Sequence, residues 1–356
     1  MAIKLLIVDD SALMRRQLTQ IFEEESGFIV RQARNGKEAM TENLEFKPDV
    51  ITLDINMPEM DGLTALSHIM TSRPVAVVMV SSLTEKGALA TFEALALGAV
   101  DYIAKPGGTI SLSIDEIKNE LISKVRWAAR AKIKPVTHTA RSLSTRLEQD
   151  RTALRPSAAR PHTGEVSGLV LIGVSTGGPG TLENILTHLP ANYPFPIIVA
   201  QHMPPFFTGP FANRMNNLCD LSVVEASRPM PINPGHVYIA KGGADTTISL
   251  REGRLMVIPR PESAQHLWHP SVEILGRSAL QHCDARHLIG VMLTGMGHDG
   301  AEAFTDIKKQ GGRTIAESED SAVVFGMPKE LIERGGANLV LPMEKIAAQL
   351  LSWART

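Results

Sequence analysis

The sequence predicts an α/β protein: two β/α domains with mainly parallel sheets, joined by a linker. Three observations predict it. Over residues 1–126, short aliphatic runs alternate with amphipathic stretches, the pattern of strands crossing to parallel neighbours through helices. Over residues 127–165 the alternation dissolves into Arg, Ser, Thr, Pro and Ala, a composition that buries too little surface to fold alone and reads as a flexible linker. Over residues 166–356 the alternation resumes.

The first zone has strands expected at Leu5–Val8, Ile29–Gln32, Val50–Leu53, Val75–Val80 and Ala99–Ile103. Helices are expected near Leu13–Glu24, Gly36–Glu45, Leu63–Met70, Lys86–Leu97 and Ile114–Arg130. In the last zone, strands are expected at Leu169–Ile172, Ile197–Ala200, His236–Ile239, Leu288–Leu293 and Arg313–Ala316. Pro179 to Leu189 carries Leu182, Ile185, Leu186 and Leu189 at helical spacing.

Composition narrows the possibilities. A chain of 356 residues favours two domains, and 44% hydrophobic residues suffice for packed cores. Aromatic residues are only 4%, so aliphatic side chains must fill those cores. A net charge of −2 argues against an electrostatic nucleic-acid binder. Cys219 and Cys283 are the only cysteines, which excludes a disulfide framework or a Cys-rich zinc site. The apolar run Ile3 to Val8 is too short for a signal peptide, and no run has the length of a membrane span. A cytoplasmic protein without membrane insertion is expected.

The first zone concentrates chemistry at strand ends. Asp9 and Asp10 close the first strand and Asp54 closes the third. In an open parallel sheet these ends meet at the topological switch point. Three carboxylates there repel unless a hard, oxygen-binding cation such as Mg²⁺ neutralises them. Ser81 ends the fourth strand and Lys105-Pro106 follows the fifth, a hydroxyl and an ammonium suited to an added phosphoryl group.

This constellation, with Asn56-Met57-Pro58 and Asp61-Gly62, resembles the receiver domain of bacterial two-component response regulators, a flavodoxin-like fold. The resemblance implies Asp54 as phospho-acceptor. It implies Mg²⁺ held by Asp10, Asp54 and the Asn56 carbonyl, with Asp9 acting through water. It implies Ser81, Tyr102 and Lys105 as switch residues and a histidine kinase as phosphodonor.

In the last zone, Ser175 sits in Gly173-Val174-Ser175-Thr176-Gly177, a G-x-S-x-G pattern between a strand and a helix. Such a turn pushes the hydroxyl into open space, beside N–H groups that can hold an oxyanion. The next strand ends in Gln201-His202-Met203-Pro204, a candidate base, and a later one in Thr294-Gly295-Met296-Gly297-His298-Asp299-Gly300, a candidate orienting acid. A dinucleotide site fails on spacing, since these glycines do not make G-x-G-x-x-G. A structural glycine turn with a core histidine remains an alternative. So does His298 as base, and so does zinc at His266 and His269, although no further Cys or His accompanies that pair.

Residues Val166–Leu350 resemble the catalytic domain of chemotaxis protein-glutamate methylesterases, through the segments around Ser175, His202 and Asp299 and through His269-Pro270-Ser271-Val272 and Val324-Phe325-Gly326-Met327-Pro328. The resemblance implies a Rossmann-like doubly wound domain. It implies Ser175 as nucleophile, His202 as base, Asp299 as orienting acid, the Met296 amide near the oxyanion and Thr176 beside the nucleophile. The implied activity is phosphorylation-activated hydrolysis of glutamate methyl esters on methyl-accepting chemoreceptors, giving glutamate and methanol, with receptor glutamine deamidation as a companion. No cofactor is expected for the ester step. One departure is visible: Lys241-Gly242-Gly243-Ala244-Asp245 stands where the family has Pro-Gly and a nearby His, so altered substrate contacts are expected there.

Overall fold

The computed structural model describes residues 2–82, 84–105, 110–131 and 166–355. Pro106 and most of the expected linker lie outside the described residues. The chain divides into two compact units, residues 1–154 and 155–356.

In chain order the first unit contains β1 (Ile3–Val8), α1 (Ala12–Glu24), β2 (Phe28–Ala33), α2 (Gly36–Glu45), β3 (Val50–Asp54), α3 (Gly62–Ser72), β4 (Ala76–Ser82), α4 (Glu85–Ala96), β5 (Asp101–Lys105) and α5 (Ile110–Ala128). Its five strands are parallel in the order β2-β1-β3-β4-β5, the flavodoxin-like winding. Leu5, Leu6, Ile7, Val50, Ile51 and Leu53 are fully buried, so the central strands are covered on both faces. Side-chain oxygens start the helices: Ser11 accepts from the Met14 N–H, Asn35 from Glu38, Asp61 from Thr64 and Thr84 from Gly87. Two boundaries move from the expected ones. β5 begins at Asp101, so Lys105 is its last residue and does not follow it. α5, expected over Ile114–Arg130, begins a turn earlier at Ile110 and ends at Ala128. Its buried Leu121, Val125 and Ala128 follow helical spacing beyond Arg126.

The second unit contains β6 (Leu169–Val174), α6 (Gly178–Leu186), β7 (Ile197–Gln201), α7 (Pro205–Leu218), β8 (Ser222–Ala226), β9 (Met230–Pro231), β10 (His236–Ala240), β11 (Asp245–Arg251), β12 (Arg254–Arg260) and α8 (Val272–His282). It continues with β13 (Leu288–Met292), α9 (Ala301–Lys309), β14 (Arg313–Glu317), α10 (Met327–Glu333), β15 (Leu339–Leu341) and α11 (Met343–Trp353). Seven parallel strands lie in the order β15-β14-β13-β6-β7-β10-β8. The chain winds away from β6 through β7, then returns to pair β13 on its other side. The switch point is therefore at β6, whose carboxyl end leads into Ser175.

Strands β11, β12 and β9 form a separate antiparallel sheet, which the expected strand set lacks. Its hairpin turns on Glu252 and Gly253, at φ of 50° and 76°, the two left-handed residues of a type I′ turn. This sheet and α8–α10 supply one continuous core with Leu169, Leu171, Ile198 and Ala200 of the main sheet.

Phe304 of α9 anchors that core. It is fully buried, and Gly290 of β13 and Gly276 of α8 leave the room it fills: a Cβ at Gly290 would lie 3.0 Å from its ring, and one at Gly276 3.5 Å. Deleting the ring leaves a cavity that close-packed neighbours fill only in part. Phe304→Ala is expected to lose about 3–5 kcal/mol of stability, read by urea unfolding of the full chain. An unchanged midpoint would contradict this packing.

Candidate functional site

Three strand ends of the second unit converge. Val174 of β6 pairs in register with Gln201 of β7, so Ser175 and His202 are neighbours one step beyond the ladder. The His202 N–H continues that ladder by donating to the Val174 carbonyl at 3.0 Å. The Gln201 amide donates to the Ser175 carbonyl at 2.9 Å. On the other side, the Ser175 N–H donates to the Thr294 carbonyl at the end of β13, also at 2.9 Å. Close approach requires glycine at 295, because a Cβ there would lie 2.7 Å from the Ser175 Cβ.

Asp299 follows β13 and meets His202. Its Oδ2 lies 2.9 Å from His202 Nε2 and accepts from the Val272 N–H at 2.7 Å. Its Oδ1 accepts from the Ser271 hydroxyl at 2.9 Å and the Glu273 N–H at 3.1 Å. The carboxylate thus sits at the first turn of α8, where free N–H groups and the helix dipole favour negative charge. Burial pushes Asp299 up, but the hydrogen bond and charge of His202 and the Val272 and Glu273 N–H groups bring it below the ordinary carboxyl value. An anionic Asp299 makes Nε2 the protonated nitrogen and leaves Nδ1 as the acceptor. His202 Nδ1 is buried and has no hydrogen-bond partner among the described residues.

Thr176 is buried, and its carbonyl accepts from the Thr294 hydroxyl at 2.8 Å. The Met296 N–H donates to no group among the described residues. Beneath this loop, buried Glu317 accepts from the Thr294 N–H at 2.8 Å and from the Ser321 hydroxyl at 2.8 Å.

Four residues of this site went unassigned in the sequence: Trp268, Ser271, Gln201 and Glu317. Trp268 lies parallel to His202, the ring centroids 5.5 Å apart and the planes within 3°. Nothing in local spacing signals it, since residue 268 comes from a loop distant in sequence. Ser271 carried a signal: it precedes an apolar helical run, and it caps α8 through the Ile274 N–H. Of the alternatives, His298 stands perpendicular to the Trp268 ring, centroids 5.6 Å apart, while Asp299 bonds His202. His266 and His269 turn to different partners, Ser271 at 3.5 Å and Asp245 at 3.0 Å. Asp245, in the segment that departs from the family pattern, is buried and accepts from the N–H groups of Ser263 and Ser271.

In the first unit, carboxylate oxygens of Asp9, Asp10 and Asp54 lie within 4.8 Å of one another. Lys105 Nζ bridges Asp9 and Asp54 at 2.9 and 2.8 Å. The Asp54 Oδ1 accepts from the Ile55 N–H at 2.7 Å. Burial holds the Asp54 carboxyl above its ordinary value, with Asp9 adding to the rise and Lys105 opposing it. Three carboxylates facing the single ammonium of Lys105 leave net negative charge, so the cluster fits a hard divalent cation. Asn56 is exposed beside it. The Ser81 hydroxyl donates to the Gly87 carbonyl of α4 at 3.1 Å. Tyr102 is buried, with Lys124 Nζ 5.1 Å from its ring centre.

Comparison with known proteins places these sites in context. The CheB methylesterase family model matches residues 170–350, and the response regulator receiver domain model matches residues 5–114. A Rhodospirillum rubrum protein named protein-glutamate methylesterase/protein-glutamine glutaminase 3 is 56% identical over 98% of this chain and 96% of its own length. A protein of the same activity name from Caldanaerobacter subterraneus is 46% identical over 99% of this chain and 98% of its own. The crystal structure of the Thermotoga maritima CheB methylesterase catalytic domain superposes with a TM-score of 0.51 at 40% identity, covering 53% of this chain and all of that domain. Similar to such relatives over nearly its full length, the chain belongs to the CheB methylesterase family, a hydrolase with a response regulator receiver domain ahead of its esterase half.

Proposed function

We propose that this chain hydrolyses γ-glutamyl methyl esters on the cytoplasmic helices of methyl-accepting chemoreceptors, and deamidates receptor glutamines by the same acyl chemistry, under control of phosphorylation at Asp54. The observation that carries the reading is the arrangement around His202: Nε2 committed to Asp299, a buried Nδ1 with no partner among the described residues, and a backbone that neighbours Ser175 one step beyond the β6–β7 ladder. The activity name borne by full-length relatives supports the substrate class.

Ser175 Oγ attacks the ester carbonyl as His202 Nδ1 takes its proton. Negative charge on the carbonyl oxygen is held by the Met296 N–H, with Thr176 beside it. Collapse breaks the acyl–oxygen bond, and His202 returns the proton to the departing methoxide, giving methanol. Water then loses a proton to His202 and attacks the acyl-enzyme. Collapse of the second intermediate gives glutamate and restores Ser175. Asp299 fixes the imidazole tautomer and stabilises the imidazolium in both halves. With glutamine the leaving group is ammonia, a harder departure. Ser175→Ala is expected to abolish methanol release from a methylated receptor fragment, with His202→Ala about as severe, since residues that act as a unit are non-additive. Near wild-type release by Ser175→Ala would defeat the reading.

In the receiver half, Asp54 is the phospho-acceptor. Asp10, Asp54 and the Asn56 carbonyl would hold Mg²⁺, with Asp9 acting through water, and the ion would supply charge that offsets repulsion between the incoming phosphoryl group and the acids. Lys105 is placed to pair with the new phosphoryl oxygens. Ser81 must leave the Gly87 carbonyl to do the same, and Tyr102 reports that shift. A cytoplasmic histidine kinase of the chemoreceptor pathway is the expected donor. Asp54→Asn should block labelling by a small phosphodonor, and EDTA should block it in the wild type; labelling of Asp54→Asn would refute the assignment. Coupling between sites is typically 1–3 kcal/mol, so phosphodonor with Mg²⁺ should raise methanol release by about 5- to 150-fold in the wild type. An equal rise in Asp54→Asn would show that Asp54 is not the switch.

A further inference from the structure

Residues 263–271 cross the candidate active site on a fixed support. Asp245 Oδ2 accepts from the Ser263 N–H at 2.8 Å, and its Oδ1 accepts from the Ser271 N–H and from His269 Nδ1, both at 3.0 Å. Asp245 is 1% exposed, so both ends of the segment are tied to one buried carboxylate. At its middle, the segment lays Trp268 over His202, centroids 5.5 Å apart and planes 3° from parallel. The loop after β13 is cut to admit the indole. Gly297 has φ of 80°, and a Cβ there would lie 2.9 Å from the Trp268 Cζ2. His298 stands perpendicular to the indole, centroids 5.6 Å apart and planes at 87°.

The face of an aromatic ring is the negative end of its quadrupole. A neutral imidazole gains little from lying over it, whereas an imidazolium gains a cation–π attraction. His202 becomes imidazolium only while it holds the proton taken from Ser175 or from water. Asp299 meets that cation in the ring plane, through Nε2, and Trp268 meets it on the face. An interaction that grows with charge on His202 favours the transition state over the bound substrate, so it raises kcat and leaves KM alone.

We propose that Trp268 is a positioning residue of the ester hydrolysis: its indole face holds the His202 ring in plane and stabilises the imidazolium formed when Ser175 is deprotonated. The inference rests on the Ser175–His202–Asp299 reading. It also gives the departing segment at Asp245 a part in the reaction, as the anchor of the loop that carries Trp268.

The test uses the full chain with a methylated receptor fragment as substrate. Replacing Trp268 with mono-, di- and tetrafluorotryptophan drains the ring face of negative charge at nearly constant shape. Stepwise loss of kcat with each fluorine is expected, at constant KM and constant thermal midpoint. Trp268→Leu should lose roughly 2- to 30-fold in kcat, and Trp268→Phe should fall between Leu and wild type. A kcat flat across the fluorine series would overturn the proposal, as would losses confined to KM. Ser175→Ala in parallel separates the two readings. Full loss there with a flat fluorine series discards only the Trp268 role, whereas wild-type release by Ser175→Ala discards the esterase reading beneath it.

Discussion

The carboxylate of Asp299 is the tie on which the esterase half is organised. It is nearly buried, yet it accepts hydrogen bonds or close contacts from the Ser271 hydroxyl, the Val272 and Glu273 N–H groups and His202 Nε2. A buried carboxylate costs several kcal/mol when unpaired and becomes tolerable only with its lone pairs filled. Filling them here joins the loop after β13, the first turn of α8 and the end of β7. The same bonds that offset its desolvation also fix one nitrogen of the His202 ring.

The acidic cluster of the receiver half solves a related problem differently. Asp9 and Asp54 share a single ammonium, Lys105, drawn from the neighbouring sheet edge. Burial works against charge on Lys105, and Asp54 and Asp9 outweigh it, so its ammonium stays protonated beyond the ordinary range. One cation against three carboxylates leaves net negative charge at the site. That imbalance is what a divalent ion would correct.

Strand ends were the legible part of both halves. Asp9, Asp10, Asp54, Ser175 and His202 each follow an aliphatic run, and a parallel sheet brings such positions to one edge whatever the loops do. Asp299 was legible for the same reason, behind β13. The β11–β12 hairpin was overlooked although Asp245–Arg251 and Arg254–Arg260 flank a two-residue Glu-Gly turn, a readable signal masked by exposed positions such as Leu250. Trp268 and Glu317 were not legible at all. Their places in the site come from contacts across the fold, to His202 and Thr294, and no periodicity encodes a contact of that kind. The departure at Lys241–Asp245 was visible, and in the structure its Asp245 is buried and supports the loop that begins at Ser263.

The hydrogen bond from the His202 N–H to the Val174 carbonyl is a rung of the β6–β7 ladder, and it has a mechanical consequence. The backbone separation of Ser175 and His202 is inherited from the spacing of adjacent strands, about 4.8 Å. Loops can drift by ångströms at little cost; adjacent strands in the middle of a seven-stranded sheet cannot. The backbone positions of Ser175 and His202 are therefore held together by the sheet itself, and a change that parts them has to open it near its centre.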